Sequence, residues 1–308
     1  MTTKRRRDRQ RPRAASRRRR GGASSARASA GGVHQSLRLY GRGIAGGLLF
    51  SLPLLYTMEM WWTGFIADPA KVLAYLGGGF LLLLGYNRYG GVHGDTHWPG
   101  ILVDSIEELG IGILLAAATL ALLGRLTWAD SFDVWLGTVV VEAVTVAIGV
   151  SVGKAQLGGR DPDDDSEEAS KDGPQQESHL GGQLVIAFCG AVLVAANVAP
   201  TDEISLIAFE TSAAKLLGVA LASLAISGVV LFQSDFLSAH RFSRSTDRAE
   251  KFFGAATTYA VALVSSAVML WFFGRFAGLA WTETVAQVVI LALPATIGAS
   301  AGRLLLQQ

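Results

Sequence analysis

Cysteine is almost absent. Cys189 is the only one in 308 residues, which excludes an internal disulfide framework and a thiolate metal cluster. Charge is also scarce: 17% of residues are charged, against about a quarter in an ordinary soluble domain. None of the five histidines falls within an apolar run. There is no G-x-S-x-G elbow, no H-E-x-x-H helix and no nucleophile beside a base, so the chain is not expected to be an enzyme or to carry a cofactor.

Hydrophobic residues, by contrast, are plentiful at 50%, with a mean hydropathy of +0.37. They are gathered into runs near the roughly 20 residues that a helix needs to cross a bilayer. About eight spans are expected, at 43–66, 70–87, 106–126, 132–153, 182–200, 207–231, 254–274 and 282–303. Tyr56, Trp61, Trp62, Trp128, Trp271 and Trp281 lie toward their ends, as aromatic belts require.

The charges that exist are segregated. "MTTKRRRDRQRPRAASRRRRGG" is basic, whereas "GRDPDDDSEEASKDGPQQE" is acidic. The head has no apolar core in its first 15–30 residues or so and is not read as a secretory signal. It resembles an organelle transit peptide in composition, but no amphipathic period organises its arginines. Residues 1–40 are therefore expected to be a disordered basic tail that meets anionic lipid head groups. Nucleic acid is not the expected partner, since the bilayer is nearer.

Lysine and arginine accumulate on one side of the expected spans, in the head, Arg88, Lys154, Arg160, Lys171, Arg241, Arg244, Arg248, Lys251 and Arg303. Only Lys71, Arg125 and Arg275 fall on the other side. The positive-inside rule then places both termini in the cytoplasm. Residues 155–180 become an acidic cytoplasmic linker.

The stretch "IGVSVGK", 148–154, looks like the start of a phosphate-binding loop. That loop requires G-x-x-x-x-G-K-[ST], whereas Gly149 and Gly153 enclose three residues and Ala155 follows the lysine. The stretch recurs as "IGASAGR" at 297–303, and "LLGRLTW" at 122–128 recurs as "FFGRFAG" at 272–278. Two matches in one order predict duplication of a four-span unit, 41–154 and 181–308, with the repeats parallel because an even number of spans preserves direction. Gly149, Ser151 and Gly153, like Gly298, Ser300 and Gly302, then read as small-residue packing faces. Lys154 and Arg303 read as anchors at the cytoplasmic surface.

Ionisable groups inside spans cost about 2.5–3.5 kcal/mol on insertion scales, so each needs a partner or a task. Glu59, Glu142 and Lys215 are the candidates, and they fall at comparable depth. Glu142 lies on a stripe with Thr138, Thr145 and Gly149. Glu142 and Lys215 are predicted to approach each other, with Glu59 nearby, as a relay or polar pocket or as a structural ion pair. Glu107 and Glu108 begin the third span, either as an entrance ring for cations or as favourable acids at a helix start. Asn197 is placed to hydrogen-bond between helices, and Pro53 and Pro294 to bend theirs. His93, Asp95 and His97 in "GVHGDTHWPG" lack a fourth ligand and read as a solvated loop, so no metal site is expected. Asp161, Asp163, Asp165 and Asp172 fall at calcium-loop positions, but Ser166 replaces the required glycine.

"GIAGGLLFSLPLLYTMEMWW", "DSIEELGIGILL", "VVVEAVTVAIGVSVGKAQLGG", "AANVAPTDEI" and "ATIGASAGRLL" resemble a bacterial family of multi-pass integral membrane proteins of unknown function. The likeness runs from about residue 40 to the end, without the acidic linker. It implies a bacterial inner-membrane location and carries over no catalytic or binding residues.

The expected fold is an all-α polytopic membrane bundle of about eight transmembrane helices in two parallel four-helix repeats. The expected function is passage of a proton, cation or small polar solute through a path that includes Glu59, Glu142 and Lys215. The alternative is a non-transporting scaffold or sensor. A homo-oligomer is left open.

Overall fold

The computed structural model describes residues 37–91, 97–127, 129, 131–157, 180–238 and 248–305. The basic head up to residue 36, His93, Asp95 and the acidic linker at 158–179 lie outside the described residues. The chain divides after Gly41, and the architecture below is that of residues 42–308.

The described residues form helices and no strands. They are α1 (Leu37–Leu55), α2 (Met58–Ile66), α3 (Pro69–Gly90), α4 (Trp98–Leu122), α5 (Phe132–Gln156), α6 (Leu180–Val198), α7 (Asp202–Glu210), α8 (Ala213–Ser238), α9 (Arg248–Phe272) and α10 (Trp281–Leu305). Six of them are long and apolar enough to cross a membrane, or seven if α1 and α2 count as one bent span.

Local chemistry sets the breaks. At Tyr56 and Thr57 the chain turns by 84° between α1 and α2, so 43–66 is not one straight span. The Thr57 hydroxyl donates to the Pro53 carbonyl at 2.7 Å, which ties the turn to the last coil of α1. α3 starts from Asp68, whose carboxylate accepts from the Ala70 amide at 2.7 Å ahead of a helix that opens on Pro69. The run expected at 207–231 is likewise divided, because α7 stops at Glu210 and α8 begins at Ala213. Pro294 lies inside α10, which continues through it.

α4 and α9 end in the same way. Gly124 and Gly274 have φ of 68° and 70°, a region that glycine enters without a Cβ clash. The Gly124 and Arg125 amides donate to the Ala121 and Leu120 carbonyls, and the Gly274 and Arg275 amides to those of Trp271 and Leu270. This is the Schellman cap, which satisfies carbonyls orphaned at a helix end. The arginine that follows then latches onto a nine-residue helix. Arg125 lies 4.2 Å over the Trp61 ring of α2, and Arg275 reaches Asp202 of α7 at 2.6 Å.

α5 is the axis of the first half, and every residue from Gly137 to Lys154 is buried. Glycines admit its neighbours. A Cβ on Gly46 of α1 would overlap the Gly153 backbone, and one on Gly64 of α2 the Thr138 backbone. A Cβ on Gly79 of α3 would strike Val144, and one on Gly112 of α4 would stand 2.7 Å from the Ala143 carbonyl. α10 holds a similar place among α6, α7, α8 and α9, with Gly190 of α6 pressed against Gly298. The halves meet through α3 with α6, and Tyr75 of α3 stacks on Phe272 at the end of α9 with ring centroids 4.1 Å apart.

Candidate functional site: polar groups on and around α5

Glu142 lies at the middle of α5 with no exposed surface, and neither carboxylate oxygen has a hydrogen-bond partner. One turn further on, Thr145 meets Tyr75 of α3, hydroxyl to hydroxyl, at 3.1 Å. Residues three apart share a helical face, so the carboxylate, the threonine and the phenol occupy one side of α5. Tyr75 also lines a cavity of about 200 Å³ between α3, α6 and α9, whose other walls include Gly79, Val144, Phe188, Met269 and Phe272. The cavity is mainly apolar, and the phenol is its link to the α5 face.

The stripe predicted along α5 meets a different helix at each end. Thr138 lies against Gly64 of α2, and Gly149 abuts Gly46 and Gly47 of α1. At about 100° per residue the four positions keep to one side of α5, and it is the neighbour that changes from turn to turn.

A second polar group closes the Lys154 end. Lys154 Nζ lies 2.7 Å from Glu107 and 3.6 Å from Glu108 of α4. The Asn87 amide of α3 donates to Glu108 at 2.7 Å and to the Ser105 hydroxyl at 3.0 Å, and its oxygen accepts from Ser151 at 3.0 Å. Lys154 is therefore not a surface anchor but a buried ion-pair member. Glu107 and Glu108 do not begin their helix either. α4 starts at Trp98, about two and a half turns earlier at 3.6 residues per turn, and its register turns both acids toward α5.

The predicted approach of Glu142 to Lys215 does not occur. Lys215 is exposed near the start of α8, a helix that packs chiefly on α9 and α10. Glu142 is fully buried on α5, a helix that packs on α2, α3 and α4. Glu59 is half-buried on α2, and no ion pair joins it to either residue. Asn197 of α6 donates to the Phe50 carbonyl of α1 at 3.2 Å and to its own helix at Leu193. Its buried Oδ1 has no partner.

In the second half, Gly298 and Gly302 face Gly190 and Ile186 of α6, and Ser300 is buried without a partner. Arg303 is half-buried and bonded into α6 and α9. Among the described residues no cluster of three or more histidine, cysteine, aspartate or glutamate side chains could hold a metal ion. His97 stands at the N-cap position of α4 without a side-chain cap bond.

Sequence reasoning missed Asn87, Ser105 and Tyr75. Asn87 sits in "GYNRYG", where a polar residue before an arginine reads as the end of a span. Tyr75 stands near a span start and reads as belt. Only the register of α3 against α5 reveals their roles.

A family model described as "Putative integral membrane protein (DUF2391)" matches residues 39–306. No curated protein and no solved structure matches the chain.

Proposed function

Since the chain belongs to that family of integral membrane proteins, we propose its role from the geometry: passage of a proton, cation or small polar solute, with Glu142 as the central pathway group. The observation that carries this reading is a carboxyl group at the middle of a buried helix with both oxygens unpartnered. Ionisable groups at such depth are costly and mark ion or substrate paths by default. The test is a pH- or ion-gradient flux assay in proteoliposomes, wild type against Glu142→Gln. Flux through the wild type that Gln abolishes supports the pathway; equal flux through both removes Glu142 from it.

The architecture behind this proposal is a bundle of two parallel repeats, α1–α5 and α6–α10. Its supports are the order long, nine-residue, long, long, long in each half, the paired Schellman caps, the paired arginine latches and the glycine contacts of α5 and α10. Counting α4 as a span brings the total to eight, with α1 and α2 as one broken span. The lysine and arginine distribution supports a cytoplasmic place for both termini, and the family resemblance supports a bacterial inner membrane.

Within the repeat the chemistry is one-sided. Aligning Lys154 with Arg303 puts Leu291 at the place of Glu142. Counted back from the capping glycines, Thr257 and Thr258 stand where the first half has Glu107 and Glu108. The first half holds the acids, and the second supplies the matching frame.

A second reading, a non-transporting scaffold or sensor, is favoured by the apolar walls of the cavity beside Tyr75. It gains if wild-type protein passes no proton or cation under any imposed gradient.

A further inference from the structure

Among the described residues the Arg303 guanidinium has only neutral partners. Nη1 donates to the Gly254 carbonyl at 2.9 Å and to the Thr258 hydroxyl at 2.6 Å, and Nη2 donates to the Gln183 side-chain oxygen at 2.8 Å. A guanidinium offers five N–H donors, and Nε is buried with no acceptor. No acidic side chain among the described residues pairs with it. Lys154 is held by Glu107 and Glu108 at the matching turn of α5, so the contrast is one of charge balance.

Arg303 lies in the wall of a cleft of about 440 Å³ between α6, α9 and α10. Gln183, Thr257 and Thr258 are its polar neighbours, and Leu184, Phe253 and Val261 its apolar ones. Phe253 is 71% exposed, as is Leu180 at the cleft rim. A cation beside hydroxyls, flanked by exposed apolar side chains at the end of apolar helices, matches a ligand with an anionic head and a hydrocarbon body. Arginine presents a planar fork that suits phosphate oxygens, and basic pockets between membrane helices take anionic lipid head groups.

We propose that this cleft is a phosphate-binding site whose occupant is the head group of an anionic phospholipid. It is separate from the Glu142 face and does not depend on any transport activity.

The test uses the full chain in non-ionic detergent, with native mass spectrometry reading retained phosphatidylglycerol, phosphatidylcholine as the lipid control, and inorganic phosphate as a competitor. Arg303→Gln removes the cation, and Thr257→Phe fills the cleft while keeping it. The basic head is present in every sample, so its own lipid contacts cancel. Phosphatidylglycerol affinity should fall about tenfold in each variant, the scale of one charge-assisted hydrogen bond, while the weak retention of phosphatidylcholine stays unchanged. If inorganic phosphate binds in an Arg303-dependent way and the lipid does not, the phosphate site stands but the lipid occupant is overturned. Equal phosphatidylglycerol retention by wild type and the folded variants overturns the site. Should Arg303→Gln fail to fold, Thr257→Phe decides alone.

Discussion

The Tyr75 hydroxyl lies 3.1 Å from the Thr145 hydroxyl, on the face of α5 that also bears Glu142. The bond joins α3 to α5 beneath the ring that stacks on Phe272. Tyr75→Phe keeps the ring and loses the bond, so it should cost about 0.5–1.5 kcal/mol. Thr145→Val should cost a similar amount, and the double variant less than their sum. Thermal unfolding of the four proteins in detergent measures that coupling.

Glu142 carries two unpartnered oxygens in a site with no exposed surface. Glu142→Leu, the residue the second half has at the aligned position 291, should raise stability by about 1–3 kcal/mol, since an unsatisfied buried polar group is removed. The same variant should lose flux. A drop in melting temperature would mean that the carboxyl group has a structural partner.

Lys154 is enclosed with Glu108, while Glu107 is a third exposed. Lys154→Met strands two acids and should destabilise by about 3 kcal/mol, the lower end for a broken buried pair. Adding Glu107→Gln and Glu108→Gln should recover most of the loss, as read by the yield of monodisperse protein and its melting temperature.

Gly46 has the Gly153 backbone where its Cβ would stand, whereas a Cβ on Gly77 or Gly78 would meet nothing within 4 Å. Gly46→Ala should push α1 off α5 and lower the folded yield. Gly77→Ala should be neutral or stabilising by about 0.5–1 kcal/mol, the helix-interior difference between the two residues. Similar losses in both would show that the α1–α5 crossing is not the constraint.

Reporter fusions after residue 30, after residue 170 and at the C-terminus should all read cytoplasmic. An outside signal at 170 would overturn the even number of spans assigned to the first half.

The apolar runs placed α3, α5, α6 and α10 to within three residues at each end, whereas α4 and α9 start eight and six residues earlier than expected, because hydropathy marks the apolar part of a helix and not its polar ends. α5, expected at 132–153, is found at 132–156. The break at Tyr56 was hidden inside an apolar run that continues on both sides of it. The caps at Gly124 and Gly274 fall in the repeated "LLGRLTW" and "FFGRFAG", where a local signal was present. Partner choice was another matter. Lys154 and Glu107 lie far apart along the chain, and their meeting depends on how α4 slides against α5. Glu142 and Lys215 seemed a matched pair because a sequence yields charge and depth but not the side of the bundle on which a helix stands.

Since α4 leaves the ribosome before α5, and domains are completed from the N-terminus during synthesis, Glu107 and Glu108 are already present when Lys154 arrives. The pair α4–α5 thus carries opposite charges that cancel against each other within the pair. The hairpin α9–α10 has no such cancellation: Arg303 arrives last, to hydroxyl and amide oxygens only.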